Sequence, residues 1–329
     1  MDASVNTDLE KRPLSARCGI EITAAGIGLW AQGGHWGPVD DENSLQAIET
    51  ALELGVTFYD TADVYGAGHS EKLLGRAMKG RREKFIVGSK IGWQEYDGQK
   101  NRSQYDTVKK LIAGVDTNLT RLQTDYLDLI QCHIGYEEAN TQVFIDGFRK
   151  LKEMGKVRAW GVSTGEFAHV KRFNKGGDCD TLQIDYSILN RDPENEILPY
   201  CKEHGIGVIV RGPIAMGILA AKFTGNETFA DDDFRKAWID DPAQNAQFKK
   251  DLETVKALRP IAGEQSVADL ALRFALTHEA IATVIPGARN PRQADRNTRS
   301  MSKGRLSAET MRNIDAIVPP GGGRKIWPA

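Results

Sequence analysis

Residues 55–66 read Gly-Val-Thr-Phe-Tyr-Asp-Thr-Ala-Asp-Val-Tyr-Gly. The run 56–60 is rich in β-formers and ends on a carboxylate, Asp60. Five residues later Tyr65 precedes a glycine. A buried strand that delivers an acid and a phenol to one loop begins an active site if other strands end in kind. Two do: Val87-Gly-Ser-Lys90 ends on a lysine, and Leu129-Ile-Gln-Cys-His133 on a histidine. Each residue alone has a plainer reading. Asp60 could cap a helix, Lys90 could be a solvated rim charge, His133 a packed histidine and Tyr65 a turn aromatic. The joint arrangement is harder to explain that way.

Working outward, strand-like and helix-like segments alternate. The patterns predict strands at 24–30, 56–60, 85–90, 126–131, 157–162, 181–184, 206–210 and 281–285. They predict helices at 42–54, 70–78, 105–122, 143–154, 166–173, 194–204, 246–258, 266–277, 291–300 and 307–317, with Ser70 as an N-cap. Eight strands alternating with helices predict an α/β chain folded as one (β/α)8 TIM barrel over 1–329. A doubly wound open sheet normally carries Gly-x-Gly-x-x-Gly after its first strand. Residues 26–30, Gly-Ile-Gly-Leu-Trp, lack the third glycine. In a barrel the C-terminal strand ends carry the chemistry, and Asp60, Lys90 and His133 fall there. The polar stretch 212–245 is expected to be a long cofactor or substrate loop. Residues 319–329 form a Gly- and Pro-rich tail that either folds over the mouth or is disordered.

Composition narrows the function. Lys and Arg number 43 against 45 Asp and Glu, a net charge of −2, which argues against a nucleic-acid partner. The four cysteines are far apart, which points to a reducing compartment rather than a disulfide framework. Residues 1–11 lack the apolar centre of a signal peptide, and no apolar run approaches the ~20 residues that span a bilayer. A cytoplasmic protein without a membrane partner is expected. Cys132 beside His133 suggests a metal, but strand alternation points the two oppositely, and no metal site is expected.

Asp, Lys, His and Tyr together suit protonation of an oxygen as hydride reaches its carbon. A phenol with a pKa near ~10 is a poor acid at neutral pH. A lysine cation beside it favours the phenolate and lowers that value. An aspartate keeps the lysine charged, and a histidine orients a carbonyl oxygen. The set does not suit acyl transfer, since no Gly-x-Ser-x-Gly or activated cysteine is evident.

These residues also resemble a known family. Phe58-Tyr-Asp-Thr-Ala-Asp-Val-Tyr-Gly66, Asp128-Leu-Ile-Gln-Cys-His133, Gly161-Val-Ser163 and Ile285-Pro-Gly287 look like the aldo-keto reductases, in order from about 26 to 297. The resemblance implies a catalytic tetrad: Tyr65 as proton donor, Lys90 and Asp60 tuning it, and His133 orienting the carbonyl. It implies a nicotinamide dinucleotide across the barrel mouth. Ser163, Thr164 (where asparagine is usual) and Gln183 would face the carboxamide, and Tyr186 would stack on the nicotinamide ring. Arg211, Gly212, Pro213, Ile214 and Gly217 would form the pyrophosphate loop, with Lys222 beyond it. Gly287, Arg289, Gln293, Arg296 and Asn297 would take the adenosine end. Arg289 suits a 2′-phosphate, which favours NADP(H) over NAD(H). Trp30, Trp36 and Trp93 are candidate substrate walls. The implied function is reversible reduction of a small-molecule aldehyde or ketone, sugar-like or alicyclic. A nicotinamide-binding regulatory or redox-sensing subunit with little turnover is the alternative. A barrel hydrolase or isomerase using the same Asp and His is a third reading.

Overall fold

Phe58–Asp60, the strand inside the opening stretch, pairs in parallel with Gly26–Gly28 on one side and Ile86–Ile91 on the other. In the computed structural model, which describes residues 8–33, 40–93, 96–97, 102–231 and 233–325, this pairing continues around a barrel. In chain order the strands are β1 (Lys11–Pro13), β2 (Glu21–Thr23), β3 (Gly26–Gly28), β4 (Phe58–Asp60), β5 (Ile86–Ile91), β6 (Tyr96–Asp97), β7 (Arg102–Ser103), β8 (Leu127–Cys132), β9 (Val157–Ser163), β10 (Thr181–Asp185), β11 (Gly207–Arg211) and β12 (Ile281–Val284). The eight parallel barrel strands run β3-β4-β5-β8-β9-β10-β11-β12. The seam between β12 and β3 is closed by bridges Ala25↔Val284 and Gly28↔Gly287. The (β/α)8 TIM barrel predicted from the alternation is the observed fold.

Helices follow the strands: α1 (Asp41–Glu53), α2 (His69–Met78), α3 (Val108–Leu122), α4 (Thr141–Glu153), α5 (Phe167–Phe173), α6 (Ile197–Glu203), α7 (Ala237–Asp240), α8 (Pro242–Ala262), α9 (Val267–Thr277), α10 (Pro291–Ser302) and α11 (Ala308–Asp315). None of the described helices is long and apolar enough to cross a membrane.

Strand alternation divides the core in two. Inside the barrel, Phe58, Leu129, Ala159, Ile209, Ala282 and Ile285 form one apolar cluster. Outside it, Tyr59, Val87, Ile91, Ile130 and Cys132 pack under the helices. The N-terminal β1–β2 hairpin, which the sequence patterns missed, plugs the floor with Leu14, Ile20 and Ile22. The plug sits so close that a Cβ on Gly207 would lie 1.6 Å from the Leu14 carbonyl oxygen. Arg12 locks it in place by donating to the carbonyls of Ile281 and Leu276. β1 and β2 stand before the strand–helix alternation that marked the equally short β3 and β4, and three residues alone repeat no pattern.

Several predicted boundaries shift for local reasons. Strand 24–30 stops at Gly28, because Trp30–Gly33 curls into a 3₁₀ turn. Ser70 is not a cap. It lies inside α2 and ties the strand ends together, its hydroxyl 2.9 Å from both the Leu29 carbonyl and Thr61 Oγ1. The 212–245 excursion is only partly loop. It contains a left-handed kink at Ala215–Gly217 and a short helix, α7. Then α8 starts at Pro242 rather than 246, with Asp241 capping Gln244 N. Asp-Pro is a helix-start signal. The described part of the tail is ordered against the turn after β10: Arg191 N donates to Gly322 O, Arg324 N donates to Leu189 O, and Arg324 pairs with Asp251.

Candidate active site

Because Phe58 points inward, Asp60 two residues on also does, at the C-terminal mouth of the barrel. The same parity brings Lys90 over Gly88, Gln131 and His133 over Leu129, Gln183 over Thr181, and Arg211 over Ile209. These side chains form a polar layer directly above the apolar interior. Lys90 is fully buried, with Nζ 2.5 Å from Asp60 Oδ1, 2.9 Å from Thr61 O and 3.1 Å from the Tyr65 hydroxyl. The other Asp60 oxygen accepts from Gln183 Nε2 at 2.7 Å. Gln183 also donates to Gln131, which donates to Thr181. His133 stands edge-on to Tyr65, ring centroids 5.8 Å apart.

The loop that carries Tyr65 is fastened on both sides. Asp63 N donates to Lys90 O, and the Asp63 carboxylate accepts from Gly92 N at 3.2 Å. Gly66 has φ +59°, and a Cβ on Gly33 would lie 2.7 Å from Gly66 N. Two glycines therefore let the loop after β3 and the Tyr65 loop meet backbone to backbone.

Burial disfavours the Lys90 ammonium, but the charges of Asp60 and the phenol outweigh it, and Lys90 titrates above an ordinary lysine. Burial raises Tyr65 above an ordinary phenol, with the Lys90 cation opposing the rise. The expectation that lysine lowers this tyrosine holds for the sign of its own effect, but burial wins. Burial, then Lys90 and Arg211, hold His133 well below the usual imidazole range. The histidine is therefore neutral at pH 7. One protonated ring nitrogen can donate to a carbonyl oxygen.

Above this layer opens a cavity of about 800 Å³, within the usual range for cofactor sites. Asp60, Tyr65 and His133 line it, with Ser163, Thr164, Gln183, Arg211, Gly212, Pro213, Ile214, Gly217, Gly287, Arg289, Gln293, Trp30 and Trp93. The cavity thus gathers most of the candidates named from sequence. At Arg289 and Gln293 it meets a second, polar recess of about 310 Å³ walled by Asp40, Asn43 and Ser44.

Lys90 lies beneath the lining, and four cofactor candidates do not line the cavity either. Tyr186 is 1 % exposed, packs on Phe274 and donates its hydroxyl to Glu194 at 2.7 Å. It sits three residues from inward-facing Gln183, so alternation turns it outward and it does not reach a nicotinamide ring in the cavity. Lys222 is exposed away from the cavity. Arg296 donates to Asn297, which donates to Gly287 O, so Asn297 acts on the cavity wall from behind. Thr164 reaches the wall, but its hydroxyl donates to Gly135 O and accepts from Glu166 N. Its donor proton is therefore committed to the loop rather than to a carboxamide. Trp36 lies outside the described residues. Arg235, Tyr136, Met216, Glu166 and Lys325 also stand in the wall, although none was named singly from sequence. Met216 and Arg235 come from the 212–245 stretch expected as a cofactor or substrate loop, and Lys325 from the tail, for which folding over the mouth was one of two alternatives; local spacing does not say which of their side chains face in.

Residues 24–319 match the family model described as the aldo/keto reductase family. The chain belongs to the aldo/keto reductase family. It is an NAD(P)H-dependent oxidoreductase acting on carbonyl groups. This aldo/keto reductase is 32 % identical over 309 residues to aldo-keto reductase YhdN of Bacillus subtilis, covering 92 % of each chain. It is 28 % identical to the NADH-specific methylglyoxal reductase of Escherichia coli, covering 89 % of this chain and 94 % of that one. Its fold is similar to that of the glycerol dehydrogenase AKR11B4 from Gluconobacter oxydans, with a TM-score of 0.81, 28 % identity and 98 % of each chain covered.

The cavity of this reductase fits a nicotinamide dinucleotide on its own features. It is long enough to join the tetrad to the recess at Arg289. The wall is bare backbone at Gly135 and Gly287, where a Cβ would meet nothing nearer than 3.9 Å. Cations of the wall, Arg211, Arg235, Arg289 and Lys325, exceed its carboxylates, Asp60 and Glu166.

Proposed function

We propose that this aldo/keto reductase interconverts an aldehyde or ketone, sugar-like or alicyclic, with its alcohol using NADP(H), and that Tyr65 is its general acid and base. The observation that carries this reading is the buried ammonium of Lys90. It joins Asp60 to the Tyr65 hydroxyl beside a neutral histidine, at the floor of a cavity of fitting size. The reduced nicotinamide, when bound, supplies hydride to the carbonyl carbon.

The rest is the work of the chain's side chains. Neutral His133 donates to the carbonyl oxygen and orients it. As negative charge develops there, Tyr65 gives up its phenol proton, and Lys90 stabilises the phenolate left behind. Asp60 and the Thr61 carbonyl hold Lys90 in place throughout. Such acid–base help contributes about 10²–10⁴-fold. Ring faces of Trp30 and Trp93, the latter 6.3 Å from Tyr136, wall the substrate.

Ser163 and Gln183 would hold the cofactor's carboxamide end, the 212–217 turn its phosphates, and Arg289 with Gln293 its adenosine end. The Escherichia coli relative is by name NADH-specific, so nucleotide choice rests on this chain's own residues. Arg289 at the polar recess supports NADP(H), because a guanidinium makes strong paired bonds to a phosphate. The test follows the absorbance of NADPH with a panel of aldehydes and ketones. Absence of turnover with every carbonyl, or full activity in Tyr65→Phe, defeats the reading.

A further inference from the structure

The register of β4 on β5 ends at Asp60 and Gly88, yet the hydrogen-bond ladder between the two chains goes on. Thr61 N donates to Gly88 O at 2.9 Å, and Asp63 N donates to Lys90 O at 3.1 Å. The next amide on this edge, Gly92 N, donates to the Asp63 side chain at 3.2 Å. Alternate residues of a parallel strand turn their amides and carbonyls to the same neighbour, so residues 88, 90 and 92 all face the chain after β4. A carboxylate thus supplies the last rung, and the main chain is free to leave the ladder at residue 63. It turns there, with Tyr65 N donating to Ala62 O at 3.2 Å, and comes back with the Tyr65 hydroxyl on Lys90.

The carboxylate is a costly choice of acceptor. Asp63 is 1 % exposed, and its second oxygen, Oδ1, is buried without a hydrogen-bond partner. Such an orphan lowers stability. Glu71, also buried, faces it with like charge. A group kept against the stability of its own surroundings, two residues before the proton donor, has a use other than packing.

We propose that Asp63 is a positioning residue for the reduction: by accepting from Gly92 it holds the loop of Tyr65 and the strand end of Lys90 at the spacing that proton transfer needs. This rests on the reading of Tyr65 as general acid given above. The acceptor does this, not the charge, so an asparagine, whose side-chain oxygen also accepts, can take its place.

The test uses whichever carbonyl of the panel the wild type turns over fastest. Asp63→Ala lowers kcat by about 10–100-fold, while NADPH affinity, read by fluorescence titration, stays within about threefold. Asp63→Asn keeps kcat within about threefold of wild type. In a Tyr65→Phe background, Asp63→Ala costs less than about threefold more, because the group it places is already gone. If Asp63→Ala does not fold, Asp63→Leu, which fills the space without an acceptor, carries the same expectations. A kcat within about twofold of wild type in the variant without an acceptor overturns the proposal. So does an equal loss in both backgrounds, which is what a packing role gives.

A second readout needs no turnover. Tyrosine labelled with ¹³C at Cζ gives a resonance for each of the 8 tyrosines, and Tyr65→Phe identifies the one that belongs to Tyr65. Asp63→Ala, or Asp63→Leu, moves that resonance, and Asp63→Asn leaves it in place. If no carbonyl is turned over but the resonance behaves this way, placement of Tyr65 by Asp63 stands and the reading of Tyr65 as general acid fails. If carbonyls are reduced through Tyr65 and the resonance ignores the loss of the acceptor, the placement fails and that reading stands.

Discussion

Lys90 Nζ lies 3.1 Å from the Tyr65 hydroxyl and 4.8 Å from the centroid of the Tyr65 ring. One ammonium therefore meets both the oxygen and the face of the same tyrosine. The lysine comes from β5 and the tyrosine from the loop after β4, so the pairing joins neighbouring strands. Asp60 and the Thr61 carbonyl fix the ammonium, and the phenol is positioned by a group that is itself held.

Tyr65→Phe removes the proton donor and leaves the ring that packs near Trp30 and His133. We expect kcat to fall by about 10²–10⁴-fold while NADPH binding, read by fluorescence, stays within about threefold of wild type. A loss of both together would mean the tyrosine is structural.

Lys90→Met leaves the Asp60 carboxylate buried without its cation. Breaking a buried pair from one side costs about 3–5 kcal/mol, and denaturant unfolding should show a loss of that order. Adding Asp60→Asn to Lys90→Met should recover part of it. A double variant less stable than the single would contradict this account.

The pH profile follows from the directions of the shifts. His133 is held well below the usual imidazole range, and Tyr65 and Lys90 titrate above their ordinary values. None of the three changes charge between about pH 6.5 and 9. The rate of carbonyl reduction at saturating substrate should show no inflection near pH 6.5. An acid limb centred there would mean that His133 titrates as a solvated imidazole.

Glu71, in α2 behind the tetrad, is fully buried against Ser89 Oγ at 2.7 Å, with Arg121 at 3.3 Å. Burial pushes its carboxyl up to about 7. A folded value above the unfolded one means that the folded state holds the extra proton. Its contribution is full below the ordinary carboxyl value of 4.5 and is lost as pH rises through about 7. Glu71→Gln should flatten the fall in stability between about pH 5 and 8, a difference of about 2–3 kcal/mol. Parallel stability curves for the two proteins across that range would refute it.

Arg289→Ala should raise KM for NADPH by about 10–100-fold and KM for NADH much less. An equal rise for both would place Arg289 on a group that the two nucleotides share.

The barrel and the meeting of Asp60, Lys90, Tyr65 and His133 at its mouth were legible because the β period carries two messages at once. The residue two positions beyond Phe58 or Leu129 continues the interior, and at the strand end it becomes the site. The same parity, applied to Tyr186, would have turned it outward, since it stands at an odd interval from Gln183. Family likeness placed it at the cofactor instead, and Arg211, even with Ile209, is the side chain at that height of the wall. The 212–245 stretch was expected at the site and the tail was given that place as one of two alternatives, but Arg235, Met216 and Lys325 were not legible one by one, because which side chains face in depends on how long connections fold back, which local spacing does not encode. The β1–β2 hairpin escaped for a different reason: its three-residue strands lie outside the alternation with helices that marked the equally short β3 and β4.

The hairpin beneath the barrel also decides how molecules come and go. With Leu14, Ile20 and Ile22 seated under Phe58 and Ile209, the vessel has a base, and among the described residues its doorway is the mouth. Cofactor, substrate and product all share that doorway. Whichever sits deepest is the last to leave, and traffic through the enzyme becomes a queue.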